Sequence, residues 1–371
     1  MPLLAGGAPS AAPAPKDAAP TLLVPFTRAA TEHTESFLDT SVQQTAATIP
    51  ISPVDIPAYG FMRGIYVEVT TSGAAGASVF KGDGPFNVLQ DIQLSDVNGA
   101  PIFGPGDGYD AFLVTKYGGL RKLQDPRLHP DFLASTANGN FSFLLYIPVE
   151  VNARDALGAL GNQNAASAYK LRMSIAPGTT VYTTPPAPLP LVRVRAWLDA
   201  WTQPPGQSLQ GQAQATEPPA HGTTSFWSKQ TFNVAAGQNQ LRLSRVGNYI
   251  RNLVVVYRDV AGVRNKANFP APLFINWDTR VLREYQQIVW RGAMAAKYGL
   301  TGTDEAARGL DTGVYVEDYC HEFDGLAGLE LRDGWLPTVQ STRYELTGNF
   351  LAAGTVTVLS NDVSPNGEIF V

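Results

Sequence analysis

Two hydrophobic periods run through the chain. One repeats every second residue: in LVRVRAWLDAW, Val192, Val194, Ala196 and Leu198 alternate with Arg193, Arg195 and Trp197, the spacing of a half-buried strand. Short runs of β type recur from Ala46 onward, among them IYVEVTT, NVLQDIQLSD, FSFLLYIPVEV and YKLRMSI. After a break come FNVAA, QLRLSRV, YIRNLVVVYRDV, LFINWD, GVYVEDY, RYELTGNF and TVTVLS, with Gly, Pro, Asn and Asp between the runs. The other period is helical. Tyr109, Phe112, Leu113, Lys116 and Tyr117 fall at i, i+3, i+4, i+7 and i+8, and Tyr285, Ile288, Val289, Gly292 and Ala293 repeat that spacing, so each set predicts a helix face laid on a core. Asp107, and Asp278 or Thr279, are expected as the N-caps, and Gly118 and Gly299 as stops at positive φ. Phe26 to about Gln44 is expected to form a short polar helix behind an Ala/Pro/Gly-rich arm, residues 1–20, which holds too little apolar surface to offset its ordering entropy.

The two helices lie at matching places in a duplication. FMRGIYVEV from Phe61 overlays YIRNLVVVY from Tyr249, with Arg63 over Arg251 at an offset of 188; IQLSD ending at Asp96 overlays FINWD ending at Asp278 at 182; Lys116 overlays Lys297 at 181; and YKLRM from Tyr169 overlays YELTG from Tyr344 at 175. Order is kept and the offset shrinks steadily, as expected of a duplicated domain with shorter loops in its second copy. Between the copies Gln203–Thr224, rich in Pro, Gly and Gln, reads as a linker. The expected organisation is an N-terminal arm over 1–45, a first β domain over 46–202, a linker over 203–224 and a second β domain over 225–371.

Composition narrows the function. The 371 residues carry a net charge of −5, which argues against a partner held through its phosphates, so no direct nucleic-acid contact is expected. Charged residues make up only 16% against 44% hydrophobic ones, so much of the surface is expected to be covered by other subunits. The single cysteine, Cys320, excludes an intrachain disulfide framework. No secretory signal pattern or transmembrane window is present, and synthesis in a host cytoplasm is expected.

Positions that look like chemistry each have a plainer reading. GPGDG at Gly104–Gly108 matches neither phosphate-loop pattern and is explained by a turn ahead of a helix. Asp91, Asp96, Asp107 and Asp110 lack the spacing of a calcium loop and are expected to cap and turn. In EDYCHEFD, which holds Glu317, Asp318, Cys320, His321, Glu322 and Asp324, neighbouring Cys320 and His321 on an extended segment point to opposite faces and do not form a nucleophile pair. His33, His129, His221 and His321 are scattered, and the tryptophans Trp197, Trp201, Trp227, Trp277, Trp290 and Trp335 are expected in cores or interfaces before sugar stacking. The expectation is therefore no catalytic residue, no cofactor, no metal site and no enzyme.

The tandem β domains, each with one inserted helix, the linker, the arm, and above all FNVLQDIQLSDVNGAPIF (Phe86–Phe103) and PLFINWDTRVLREY (Pro272–Tyr285) resemble the double jelly-roll major capsid proteins of tailless icosahedral viruses with an internal membrane, the tectivirus-like phages. The resemblance covers about Ala46 to Val371. It implies an all-β fold of two tandem eight-stranded jelly rolls, assembly as a pseudo-hexagonal homotrimer, and a place in the virion shell. The implied partners are neighbouring trimers, penton and minor capsid proteins, and an internal membrane near the arm. The alternative from another class is a two-module β-sandwich protein that binds or cleaves carbohydrate.

Overall fold

The structure, a computed structural model, describes residues 21–118, 125–152, 155–216, 224–299, 311–319, 334–339 and 341–364. The chain opens with β1 (Leu22–Val24) and one helical turn, α1 (Phe26–Ala29). There follow β2 (Glu32–Gln43), β3 (Ile49–Asp55), β4 (Phe61–Ser72), β5 (Leu89–Ser95), β6 (Pro101–Gly106), helix α2 (Gly108–Tyr117), β7 (Phe141–Pro148), β8 (Lys170–Ile175) and β9 (Leu191–Trp201). After β10 (Gln214–Thr216) the pattern recurs as β11 (Ser225–Val234), β12 (Gly237–Arg242), β13 (Tyr249–Asp259), β14 (Leu273–Trp277), β15 (Arg280–Tyr285), helix α3 (Gln287–Tyr298), β16 (Val314–Asp318), β17 (Tyr344–Phe350) and β18 (Gly354–Val363).

The strand order repeats between the two halves in the way the sequence offsets predict. In the first unit the sheets run β2-β9-β4-β7 and β3-β8-β5-β6; in the second they run β11-β18-β13-β16 and β12-β17-β14-β15, the same order element for element. The fold is all-β with two eight-stranded jelly rolls, and each roll inserts its helix between its fifth and sixth strands. One sheet of each roll joins the other, because β6 meets β11 in parallel where Phe103 lies opposite Trp227.

Alternation sets the faces as expected. On β9, Val192, Val194, Ala196 and Leu198 are all fully buried, while Arg193 is exposed and Arg195 and Trp197 are half-buried. On β4, Ile65, Val67 and Val69 point inward and Tyr66, Glu68 and Thr70 outward. These chains share one continuous core with Ile92, Leu94, Leu171 and Met173 of the facing sheet, each such buried aliphatic contributing about 1.5–3 kcal/mol.

Several expectations fail locally. The helix expected over Phe26–Gln44 is only α1; Glu32–Gln43 is a twelve-residue strand paired antiparallel with β9 from Glu32–Trp201 to Gln43–Leu191. A weak local preference yields there to a partner strand that satisfies the backbone along its length. The expected linker is partly structured, since β10 pairs in parallel with β1. Asp107 does precede α2, and its N–H donates to the Asp110 carboxylate (2.8 Å). Neither Asp278 nor Thr279 caps α3: Asp278 turns β14 into β15, its carboxylate accepting the N–H groups of Thr342 and Arg343 (3.0 Å each), and Gln286 precedes the helix. The face predicted for α3 is also the wrong one. Trp290 and Met294 are buried, whereas Ile288 and Val289 are 81% and 56% exposed and Tyr285 belongs to β15. Gly299 ends α3 at φ 64, but Gly118 ends α2 at φ −66, so only the second stop is left-handed.

Candidate functional site: the seam between the rolls

The residues that suggest chemistry are absorbed by structure. In GPGDG, Gly104 sits at φ 82 where a Cβ would lie 2.2 Å from the Ile92 carbonyl oxygen, and at Gly108 it would lie 1.9 Å from that of Phe86. These glycines let a turn and a helix start press against β5 and the segment before it. Asp91 accepts the Ser174 hydroxyl (2.9 Å), and Asp96 caps its turn by accepting the N–H groups of Asn98 (2.8 Å) and Ala100 (2.7 Å). His33, on β2, stacks on Tyr59 with ring centroids 3.9 Å apart, and the Nδ1 atom of His129 accepts the Asp131 N–H (3.2 Å). Cys320, His321, Glu322, Asp324 and His221 lie outside the described residues. Among the described residues no three of His, Cys, Asp and Glu gather as metal ligands do.

Trp201, Trp227, Trp290 and Trp335 are buried, in the cores or at the seam. Trp197 is half-buried on the outer face of β9 with the Arg195 guanidinium over its ring, and Trp277 is half-buried at the end of β14.

The polar residues converge instead where the two rolls meet. Lys229 of β11 donates to Asp107 (3.0 Å) and Asp110 (2.7 Å) at the start of α2. Burial disfavours the ammonium of Lys229, yet the two carboxylates outweigh it and hold its pKa above the ordinary value; burial also pushes Asp110 up, against the pull of Lys229. At the other end of α2, Asp311 of the second roll, with no exposed surface, accepts from Lys116 Nζ (2.8 and 2.9 Å), from the Tyr117 hydroxyl (2.7 Å) and from Arg127 (2.9 Å).

Asp125 completes this group through Lys116 (3.1 Å) and Arg127. Burial opposes its charge, but the Arg127 hydrogen bond and the Lys116 cation bring its pKa down to about 2.

Two further contacts close the seam. Arg258 and Arg264 grip Asp83 (2.6 Å each) with their guanidinium groups over the buried Tyr109 ring at 5.5 and 4.7 Å. Arg251 and Asn252 donate to the last carbonyls of α2, on Gly118 (2.6 Å) and Tyr117 (2.9 Å), where the helix dipole favours a cation. Lys116 and Arg251 were visible in the sequence as members of the repeat; Asp311, Asp83, Arg127 and Lys229 carry no local signal and are assembled only by the fold. Every carboxylate here is bonded to cations or donors, so the cluster fixes the angle between two rigid bodies and offers no free base to a substrate. Buried pairs of this kind add little net stability but are costly to break singly.

The outer face of the first roll holds a second hub. Arg63 donates to Glu150 (2.8 Å) and Glu32 (2.7 Å), stacks on Trp201 (4.3 Å), and lies 3.6 Å from Asp199, which accepts the Tyr146 hydroxyl (3.0 Å). Burial works against the Arg63 cation, and Glu150 and Asp199 reverse it, raising its pKa. Next to the hub a cleft of about 280 Å³ is walled by Tyr66, Leu144, Tyr146, Leu128 and Pro130.

No family model and no curated protein sequence matches the chain. Solved structures do. The STIV major capsid protein aligns over 92% of this chain and 99% of its own at a TM-score of 0.63 and 14% identity. The fold is the double jelly roll. The major capsid protein P2 of bacteriophage PM2 aligns over 90% of this chain and 97% of its own (TM-score 0.54, 9% identity), and the PBCV-1 virus capsid over 90% and 93% (0.54, 12% identity). Near-complete coverage in both directions means that the double jelly roll is matched as a whole rather than through one sandwich.

Proposed function

We propose that this chain is a structural major capsid protein that forms pseudo-hexagonal homotrimers and tiles the icosahedral shell of a tailless, membrane-containing virus, without catalytic turnover. One observation carries the reading: two rolls of identical strand order are locked by a buried ionic seam into one tile with two nearly equivalent lobes. Three such tiles around an axis make a six-lobed ring from one gene product, and likeness to capsid folds over the full length supports it. In this reading the arm ends ahead of Glu32, the first roll runs to Trp201 and the second begins at Ser225. Contacts with neighbouring trimers, penton and minor capsid proteins and, through the arm, an internal membrane complete it.

The test is the solution mass of the purified protein followed by negative-stain imaging of the same peak. A species of three times 39.8 kDa with a six-lobed outline is expected. A monomer at all concentrations, with binding on a glycan array, would replace this reading with the carbohydrate-binding one.

A further inference from the structure

We propose that the open edge strand β15 of one copy runs parallel to the open edge strand β2 of the next copy, with Val281 beside Thr34, and that this neighbour covers the first turn of α3. The inference rests on the reading of the chain as a closed homo-oligomer and adds which edges join.

The chain itself supplies the template. Within one molecule the edge β6 of the first roll lies parallel to the edge β11 of the second, and Phe103 and Trp227, which face each other there, are 3% and 4% exposed. The duplicated counterparts of these edges are β15 and β2. Among the described residues β15 pairs only with β14, and β2 only with β9, so each leaves a row of backbone donors and acceptors open. Among the described residues the other edges, β3, β12, β16 and most of β7, have counterparts that the chain does not join to the opposite roll.

Register fixes the residues. Phe103 lies opposite Leu94, and Val281 opposite Asn276, the counterpart of Leu94 at the offset of 182. Trp227 lies opposite Asn361, which faces Asn252; Thr34 lies opposite Asp199, which faces Gly64, the counterpart of Asn252 at 188. Val281 and Thr34 therefore hold the places of Phe103 and Trp227.

Exposure agrees with a missing cover. The first turn of α2 is buried, with Tyr109 under Arg258 and Arg264 of the other roll, whereas in the first turn of α3 Ile288 and Val289 stand open, and Val281 of β15 is 57% exposed. One anchor differs: Arg251 reaches the end of α2, but its counterpart Arg63 is held by Glu32 and Glu150, so the contact between copies depends on strand pairing and apolar cover. Because β15 and β2 are different surfaces, the contact is head-to-tail, and in the homotrimer proposed above it closes as a ring of three.

The test is disulfide trapping of the full chain. In a Cys320→Ser background the double variant Thr34→Cys/Val281→Cys is oxidised and run without reductant. Strands paired at this register bring the two residues within disulfide reach, so covalent trimers are expected as the limiting product, while each single-cysteine variant alone stays monomeric on the gel. Both positions are exposed, so folding is preserved. Separately, Ile288→Asp is expected to raise the concentration for half-dissociation at least about tenfold with the monomer's melting unchanged.

A native trimer whose double variant does not cross-link overturns the edge assignment alone. A protein that is monomeric in solution overturns both the assignment and the trimer. A ladder running past three upholds the edge contact and overturns the closed trimer.

Discussion

Removing the carboxylate of Asp311 tests the seam most directly. The side chain has no exposed surface and accepts four hydrogen bonds from Lys116, Tyr117 and Arg127, at 2.7–2.9 Å. In Asp311→Ala, Lys116 and Arg127, whose side chains are only 8% and 3% exposed, lose Asp311 and retain the carboxylate of Asp125 among the described residues. At an effective dielectric of about 20, each lost contact near 3 Å removes about 5 kcal/mol of attraction, and the desolvation that the pair no longer has to offset returns part of it. The net cost of breaking a buried pair is about 3–5 kcal/mol, and for rolls of this size that lowers the melting temperature by about 10 °C. The assay is thermal and urea denaturation at one fixed protein concentration, because assembly also shifts apparent stability. Asp311→Asn keeps the volume and removes the charge, and is expected to lose most of the same stability. Asp131→Ala, whose parent side chain is 86% exposed, is the control and is expected within about 0.5 kcal/mol of the unaltered protein. An Asp311→Ala protein that melts together with the Asp131→Ala control would refute the assignment of the seam as the lock between rolls.

Acid should loosen the same cluster. Asp125 is held at about 2 against an ordinary 3.8, so its contribution, about 2 kcal/mol by linkage, is full above the unfolded value and is lost as the pH falls from about 4 towards 2; Asp125→Asn should flatten that limb of a stability-against-pH curve. Gly108→Ala, with its Cβ placed 1.9 Å from a carbonyl oxygen, is expected to cost about 3 kcal/mol, whereas Gly106→Ala, with 3.4 Å to its nearest neighbour, should change a urea midpoint little. Trp227→Ala empties the point where β6 and β11 meet and is expected to cost about 3–5 kcal/mol in the same measurement.

Local pattern was sufficient for the strands, for the place of both helices and for the duplication, because each rests on neighbours in sequence: alternating faces, a carboxylate ahead of α2, glycines after the last turn, collinear offsets. It failed where a distant partner decides. Glu32–Gln43 has no strong preference of its own and became a strand because β9 offered its edge. The buried face of α3 went to Trp290 and Met294, since the core it meets is that of Val316 and Tyr315, whose position no helical period encodes; the Trp290 indole donates to the Val316 carbonyl (2.8 Å).

The seam shows the division most sharply. Lys116 and Asp311 are 195 positions apart, as are Asp83 and Arg264 by 181, and nothing along the chain marks either pair. Periodicity determines which side of a strand or helix turns inward, because that depends on backbone geometry over a few residues. Which charges meet, and hence how one roll is set against the other, depends on how sheets stack and which edges join, and only the folded chain brings those groups within the 3 Å at which a buried charge finds its partner.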